Sequence, residues 1–180
     1  MRFFDFLLVT LITASLAAVI VVFHNDAMPY PAGAAADDAP PASRPWAGIW
    51  IHSSGSRAGS AASIDRAHAS RGGLPFHFVI GNGTETADGV VEEGHRWKTQ
   101  SPGLNPDVIE ICLVGDLDRE RPTRKQIAAL DDLLLRLCRE RLIPASEIFA
   151  ESEKNPGVRC PGRTFSADET RAVLRGRLAQ

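Results

Sequence analysis

An uncharged apolar run near the N-terminus, Phe6 to Phe23, limits what the rest of this 180-residue chain can form. As a helix, its 18 residues (FLLVTLITASLAAVIVVF) would extend about 27 Å, close to the roughly 30 Å hydrocarbon core of a bilayer. We therefore expect residues 1–26 to form an N-terminal transmembrane helix that anchors the protein. The alternative is a cleaved signal peptide, for which the alanine-rich residues 32–36 offer candidate cleavage sites.

The charges that flank this run predict its orientation. Arg2 precedes it, whereas Asp26, Asp37 and Asp38 follow it, so the positive-inside rule places the body of the protein outside the cytoplasm, in the periplasm or beyond. Cleavage would instead give a secreted protein. Residues 27–44 are rich in proline and alanine and show no hydrophobic period, which is typical of a semi-extended linker. Residues 45–180 are left for one folded domain.

Composition narrows the functional classes. Twenty Lys and Arg against 22 Asp and Glu give a net charge of −2, so no nucleic-acid partner is expected. None of the five histidines lies beyond position 95, so a site with several imidazoles would have to take them all from the first half of the chain. Because there are three cysteines, at least one of them has no disulfide partner within the chain.

The pattern of residues 46–178 predicts an α/β domain with a mixed sheet flanked by helices, because strand and helix signals alternate. Apolar, β-branched runs predict strands at 46–52, 75–80, 90–97 and 107–114. A short helix is predicted at 61–70. Two longer helices are predicted after capping boxes, one at Thr123–Gln126 and one at Ser166–Glu169.

Several segments, in this order, resemble the N-acetylmuramoyl-L-alanine amidase and peptidoglycan-recognition family. They are IWIHS (49–53), FHFVIGNG (76–83), ICLVGD (111–116) followed by PTRKQIAAL (122–130), and CPG (160–162). The resemblance covers nearly the whole body. It implies a mixed sheet flanked by helices, one zinc ion in a cleft, and hydrolysis of the amide between N-acetylmuramic acid and L-alanine. The implied partner is peptidoglycan or a muropeptide.

The resemblance assigns the metal ligands only in part. His52, at the end of the first strand, and Cys160, in the C-terminal turn, stand at two of the family's three ligand positions. The remaining position, usually histidine, holds Ser152, whose neutral hydroxyl is a poor zinc ligand. Glu151 or Glu153 are candidate substitutes, since zinc accepts carboxylate oxygen. Zinc is the implied cofactor, with a degenerate ligand set.

The candidate catalytic and binding residues also depart from the family pattern. Phe76 stands where the family has a tyrosine, and it lacks the hydroxyl that could donate to an oxyanion. Arg159 lies beside the position of a usual lysine or threonine, and His68 stands where the family often has a histidine and is a candidate for substrate binding. In the central strand, Glu110 replaces a usual glycine. Two functions stay open: a peptidoglycan amidase, or a catalytically inactive muropeptide-binding protein of the same fold.

Three further residues are expected to be structural. His77 alternates with Phe76 along the chain and should point away from it. Cys112 lies on the predicted central strand and Cys138 on an apolar helix face, so both should pack in the core.

Overall fold

A computed structural model of the protein describes residues 46–180. The predicted membrane helix (1–26) and linker (27–44) lie outside these described residues. Among residues 46–180, every helix is too short or too polar to cross a membrane.

Five strands form one sheet in the order β3-β2-β4-β1-β5. The strands are β1 Gly48–Ser53, β2 Phe78–Ile80, β3 Val91–Glu93, β4 Val108–Leu113 and β5 Ile148–Ala150. Strands β1, β2, β4 and β5 run parallel, and β3 pairs antiparallel with β2 at one edge. The predicted mixed sheet is confirmed.

Five helices and two 3-10 turns connect and cover the strands. The helices are α1 Ala61–Ala67, α2 His95–Lys98, α3 Arg124–Arg141, α4 Glu151–Lys154 and α5 Ala167–Leu178. The 3-10 turns are Ala69–Arg71 and Ala145–Glu147. The capping box predicted at Thr123 is present, with Gln126 closing it. At Ser166 only half of the predicted capping box forms: the Ser166 side chain accepts from the Glu169 amide, without a return bond from the Glu169 side chain.

The two faces of the sheet bury different kinds of side chain. Alternation along β1 and β4 sends Ile49, Ile51, Ile109 and Ile111 into a large apolar core with α3 and α5. On the opposite face lies a smaller apolar cluster. Its buried members are Ile64, Leu74, Phe76, Val79, Cys112 and Val114. His52 and Glu110 alternate with the isoleucines and belong to this second face, which therefore carries the buried polar groups of the sheet.

The structure differs from the predicted elements in several places. The helix expected at 61–70 ends at Ala67 and is followed by a 3-10 turn, and the strand expected at 75–80 begins only at Phe78. The strand expected at 90–97 ends at Glu93 and continues as the short helix α2, because Gly94 turns the chain and its amide donates to the His77 carbonyl. This turn carries Trp97 into the core against Phe78, with ring centroids 4.7 Å apart. Strand β5 and helix α4 were not predicted, since three- and four-residue elements carry too little periodicity to stand out.

Candidate metal centre

Three side chains that can bind a metal converge where the parallel strands end. His52 is near the end of β1, Glu151 is the first residue of α4 directly after β5, and Cys160 lies in the loop before α5. His52 Nδ1 lies 2.9 Å from Glu151 Oε2 and 3.7 Å from Cys160 Sγ. The three ligand atoms all lie within 4.8 Å of one another.

Strand register explains why His52 and Glu151 meet. Strands β1 and β5 are parallel neighbours, and Ile51 pairs with Ala150. The next residue of each strand therefore reaches the same edge of the sheet. Cys160 is tied to the same place by two hydrogen bonds, since the Ser53 amide donates to its sulfur at 3.4 Å and the Ser152 amide donates to its carbonyl at 2.8 Å.

The chemistry of this donor set fits zinc. An imidazole nitrogen, a carboxylate oxygen and a cysteine sulfur are the three ligand types that zinc takes in proteins, at about 2.0–2.3 Å. Distances of 2.9 and 3.7 Å from His52 Nδ1 to the other two atoms suit two bonds of that length meeting at one ion. Sets of three protein ligands are typical of catalytic zinc sites, in which water or substrate takes the fourth position.

Electrostatics favours charged groups at this edge. Burial alone would lower the pKa of His52, but hydrogen bonds with Cys160, Glu110 and Glu151 outweigh it and raise that pKa well above 6.5. Burial alone would raise the pKa of Glu151, but its hydrogen bond with His52, the charge of His52 and a hydrogen bond with Cys160 outweigh it, so the pKa lies below the usual value. Glu151 is therefore held as a carboxylate, the form that binds a cation.

Behind His52, on the side away from the cluster, lies a further carboxylate. Nε2 of His52 donates a hydrogen bond to Oε2 of Glu110, which is 0% exposed at the centre of β4. The other carboxylate oxygen accepts from the backbone amide of Asn105 at 2.9 Å and from its Nδ2 at 2.8 Å. The sequence marked Glu110 only as a replaced glycine. Its position on the same strand face as Cys112, inside an apolar run, was the signal that it points toward the site.

Phe76 lies against the imidazole of His52, with ring centroids 5.2 Å apart. It is buried, at 7% exposure, and belongs to the small apolar cluster. Phe76, which the resemblance places at a tyrosine position, is thus beside the candidate metal centre, and its ring covers one side of His52.

Of the candidates for the missing ligand, only Glu151 joins the cluster. Ser152 is exposed, and what it contributes is its backbone hydrogen bond to Cys160. Glu153 turns away: it accepts from the Ala150 amide at 2.7 Å and pairs with Arg171 at 2.8 Å.

The structure does not bring the two remaining candidates to the cluster. Arg159 is 72% exposed and lies 3.8 Å from Asp118. His68 follows α1, and its Nδ1 donates to the Ile64 carbonyl at 2.9 Å. His77, expected to be structural, is fully buried and uses both ring nitrogens within the fold. Cys112 and Cys138 are buried, as predicted.

Comparisons with known proteins place this geometry in a family. The family model described as N-acetylmuramoyl-L-alanine amidase matches residues 42–163. No curated protein sequence matches the chain significantly. Among solved structures, the N-acetylmuramoyl-L-alanine amidase LysC from Clostridium intestinale URNW is 24% identical with a TM-score of 0.63, and the alignment covers 74% of this chain and 87% of LysC.

Two insect proteins share the fold at lower similarity. Bumblebee PGRP-SA is 19% identical with a TM-score of 0.55, covering 69% of this chain and 80% of its own. A tyrosine-to-phenylalanine variant of Drosophila PGRP-LB, in complex with tracheal cytotoxin, is 22% identical with a TM-score of 0.51, covering 69% of this chain and 79% of its own. Since the family model spans most of the chain and the fold agrees, this protein belongs to the N-acetylmuramoyl-L-alanine amidase family.

Proposed function

We propose that this protein is a zinc-dependent amidase that hydrolyses the bond between N-acetylmuramic acid and L-alanine in peptidoglycan, with zinc held by His52, Glu151 and Cys160. One observation carries the proposal: the Glu151 carboxylate reaches His52 Nδ1 at 2.9 Å, beside Cys160. A carboxylate directly after the neighbouring strand thus replaces the histidine that the family usually has as a ligand.

The residues of the site divide the work. When bound, zinc would act as a Lewis acid that polarises the scissile carbonyl and lowers the pKa of a water molecule bound to the ion. Glu151 and Cys160 provide anionic ligands, and His52 provides a nitrogen ligand that the sheet buries to 1% exposure. Phe76 excludes water from one side of His52. Because Phe76 has no hydroxyl, it gives no hydrogen bond to the oxyanion, and we expect slow turnover.

The substrate class follows from the family and from its neighbours. LysC is described as an N-acetylmuramoyl-L-alanine amidase, and the PGRP-LB variant holds tracheal cytotoxin. We extend both to this chain and infer that it binds peptidoglycan or its fragments. The proposed N-terminal anchor and 27–44 linker would place the domain outside the cytoplasm, where peptidoglycan lies, and cleavage of the anchor would release it there.

A second function is favoured by Phe76, namely muropeptide binding without hydrolysis. A tyrosine-to-phenylalanine variant of PGRP-LB is in complex with tracheal cytotoxin, so a protein of this fold binds that ligand while carrying a substitution of this type. Both functions use the same ligand, and they differ in whether the amide bond is broken.

Zinc content and peptide release separate these functions. We expect the purified full-length protein to bind one zinc ion and to release stem peptides from peptidoglycan, detected by mass spectrometry. Glu151→Gln removes an anionic ligand and should weaken zinc binding at least about 100-fold and abolish release. Glu153→Gln, the same change two residues away in a side chain facing Arg171, is the matched control and should retain both.

The measured outcomes distinguish the two functions and test the proposed zinc centre. Zinc binding with muropeptide binding but no peptide release would establish the second function. A protein that binds no zinc, or a Glu151→Gln variant that binds it normally, would refute the proposed centre.

A further inference from the structure

Glu110 is a carboxylate in the interior of the sheet, where charge is costly. It is 0% exposed and lies between Ile109 and Ile111 in β4. A buried carboxylate is strongly destabilising unless partners compensate for the lost water. Glu110 is not part of the apolar core on the other face of the sheet, so the reason for its burial must lie in its polar contacts.

Those contacts give its two oxygens separate tasks. Oε1 accepts from the Asn105 amide and from Asn105 Nδ2. Oε2 accepts from His52 Nε2. One oxygen is therefore held in place by two donors, and the other is presented to the imidazole.

The backbone of Glu110 is clamped as well. Its amide donates to His77 Nδ1 at 2.9 Å, and its carbonyl accepts from the His77 amide at 2.9 Å. With its backbone bound to His77 and Oε1 bound to Asn105, the carboxylate has one orientation. It faces the ring nitrogen of His52 that lies away from Glu151 and Cys160.

We propose that Glu110 is a positioning residue for the metal centre: it accepts a hydrogen bond from the Nε2–H of His52, so that Nδ1, which faces Glu151 and Cys160, is the ring nitrogen that would bind the metal. This inference rests on the proposed function, because it assigns Glu110 a task at that centre. Histidines that bind metals usually donate their other ring N–H to a carboxylate, carbonyl or water, which fixes the tautomer and ring orientation and strengthens the ligand.

The geometry makes Glu110→Gln a selective test. Two donors from Asn105 face Oε1, so the glutamine carbonyl must take that place and its NH2 group must face His52. Nε2 then has to accept, which puts the remaining proton of a neutral ring on Nδ1. That tautomer directs an N–H at the cluster and opposes metal binding, although the side chain keeps its size.

Glu110→Gly provides the contrast. Glycine removes the carboxylate and leaves a cavity but imposes no tautomer on His52. If Glu110 only supports packing, glycine should do more damage than the isosteric glutamine. If Glu110 positions His52 for the metal, glutamine should weaken zinc binding more than glycine does.

The experiment measures zinc affinity of the full-length protein by competition with a chromophoric chelator at neutral pH. We expect zinc affinity to decrease in the order native protein, Glu110→Gly, Glu110→Gln, with the affinity of Glu110→Gln about 10–100-fold weaker than that of the native protein. Glu153→Gln is the carboxylate-to-amide control and should match the native protein. Circular dichroism checks that each variant is folded.

A second measurement needs no variant of Glu110. Nitrogen-15 NMR of the zinc-loaded native protein should show His52 with a proton on Nε2 and the metal on Nδ1, and His52→Ala identifies the signal. Zinc bound through Nε2 would overturn the inference, as would Glu110→Gln binding zinc as tightly as the native protein or more tightly than Glu110→Gly. Failure of the native protein to bind zinc would instead overturn the proposed function.

Discussion

At the scale of single residues, Phe76 is the side chain that most limits the rate expected of the proposed reaction. Its ring centroid lies 5.2 Å from that of His52, so it lies beside the candidate metal centre. It packs there with the small apolar cluster but presents no polar atom. The difference between this residue and tyrosine is one hydroxyl, which makes the consequence measurable.

We therefore expect Phe76→Tyr to raise the rate of peptide release from peptidoglycan by about 10–100-fold, because a single oxyanion donor is worth about 10²–10³ in other enzymes and an introduced donor will be less well placed. Zinc affinity should stay unchanged. Phe76→Leu, which keeps an apolar side chain without a hydroxyl, serves as the control. A rate that rises equally in both variants would show that packing, and not the hydroxyl, is responsible.

At the scale of elements, His77 joins parts of the fold that surround the centre. It precedes β2, its Nδ1 accepts from the Glu110 amide in β4, and its Nε2 donates to the Ser101 carbonyl in the loop before β4. This arrangement requires a neutral ring with its proton on Nε2. Burial lowers the pKa of His77 to about 4, with the Arg96 charge adding to the effect and the Ser101 carbonyl and Glu110 charge opposing it.

This pKa predicts acid sensitivity with a defined window. In the unfolded chain His77 binds a proton below about pH 6.5, whereas the folded protein resists protonation down to about pH 4. The contribution of His77 to the free energy of unfolding is therefore fully present above the pKa of the unfolded chain, and it is lost as the pH falls toward the pKa of the folded protein. Between pH 7 and pH 5 we expect a loss of about 2 kcal/mol from this one group.

Urea denaturation of residues 45–180 at these two pH values measures the effect. His77→Gln should be less stable at pH 7, since it loses buried hydrogen bonds, but its stability should fall by about 2 kcal/mol less than that of the native domain on going to pH 5. An equal fall in both proteins would mean that His77 is not the group responsible.

At the scale of the whole molecule, the N-terminal apolar run bears on where the folded domain is located. The described residues, 46–180, contain no helix able to cross a bilayer. The apolar run within residues 1–26 is the proposed anchor. If that run is retained as an anchor, the full-length protein should fractionate with membranes and resist extraction by salt, whereas residues 45–180 should be released. Protease added outside the cytoplasmic membrane should cleave the domain. Recovery of the full-length product in the soluble fraction with a new N-terminus near residues 32–36 would instead show cleavage.

Much of this fold could be read from local sequence, because the signals are local. The apolar, β-branched runs of β1 and β4, the Thr123 capping box and the apolar stripe of α3 each lie within one short segment. Strand β5 is three residues long and helix α4 four, so neither has a period to detect. Residues 95–98 were expected to continue a strand, but Gly94 turns the chain and α2 carries Trp97 into the core.

The sequence by itself determined the class of fold, the family pattern, and His52 and Cys160 as candidate ligands, because each is a short motif in a fixed order. It left Glu151 and Glu153 as candidate substitutes for the third ligand, with Ser152 at the position where the family usually has histidine. Tertiary structure brings one of these candidates to His52: β1 and β5 lie side by side with Ile51 opposite Ala150, so Glu151 meets His52 across a separation of 99 residues. The contact of Glu110 with His52 spans 58 residues. Contacts of this kind arise from the register of parallel strands, which no local pattern encodes.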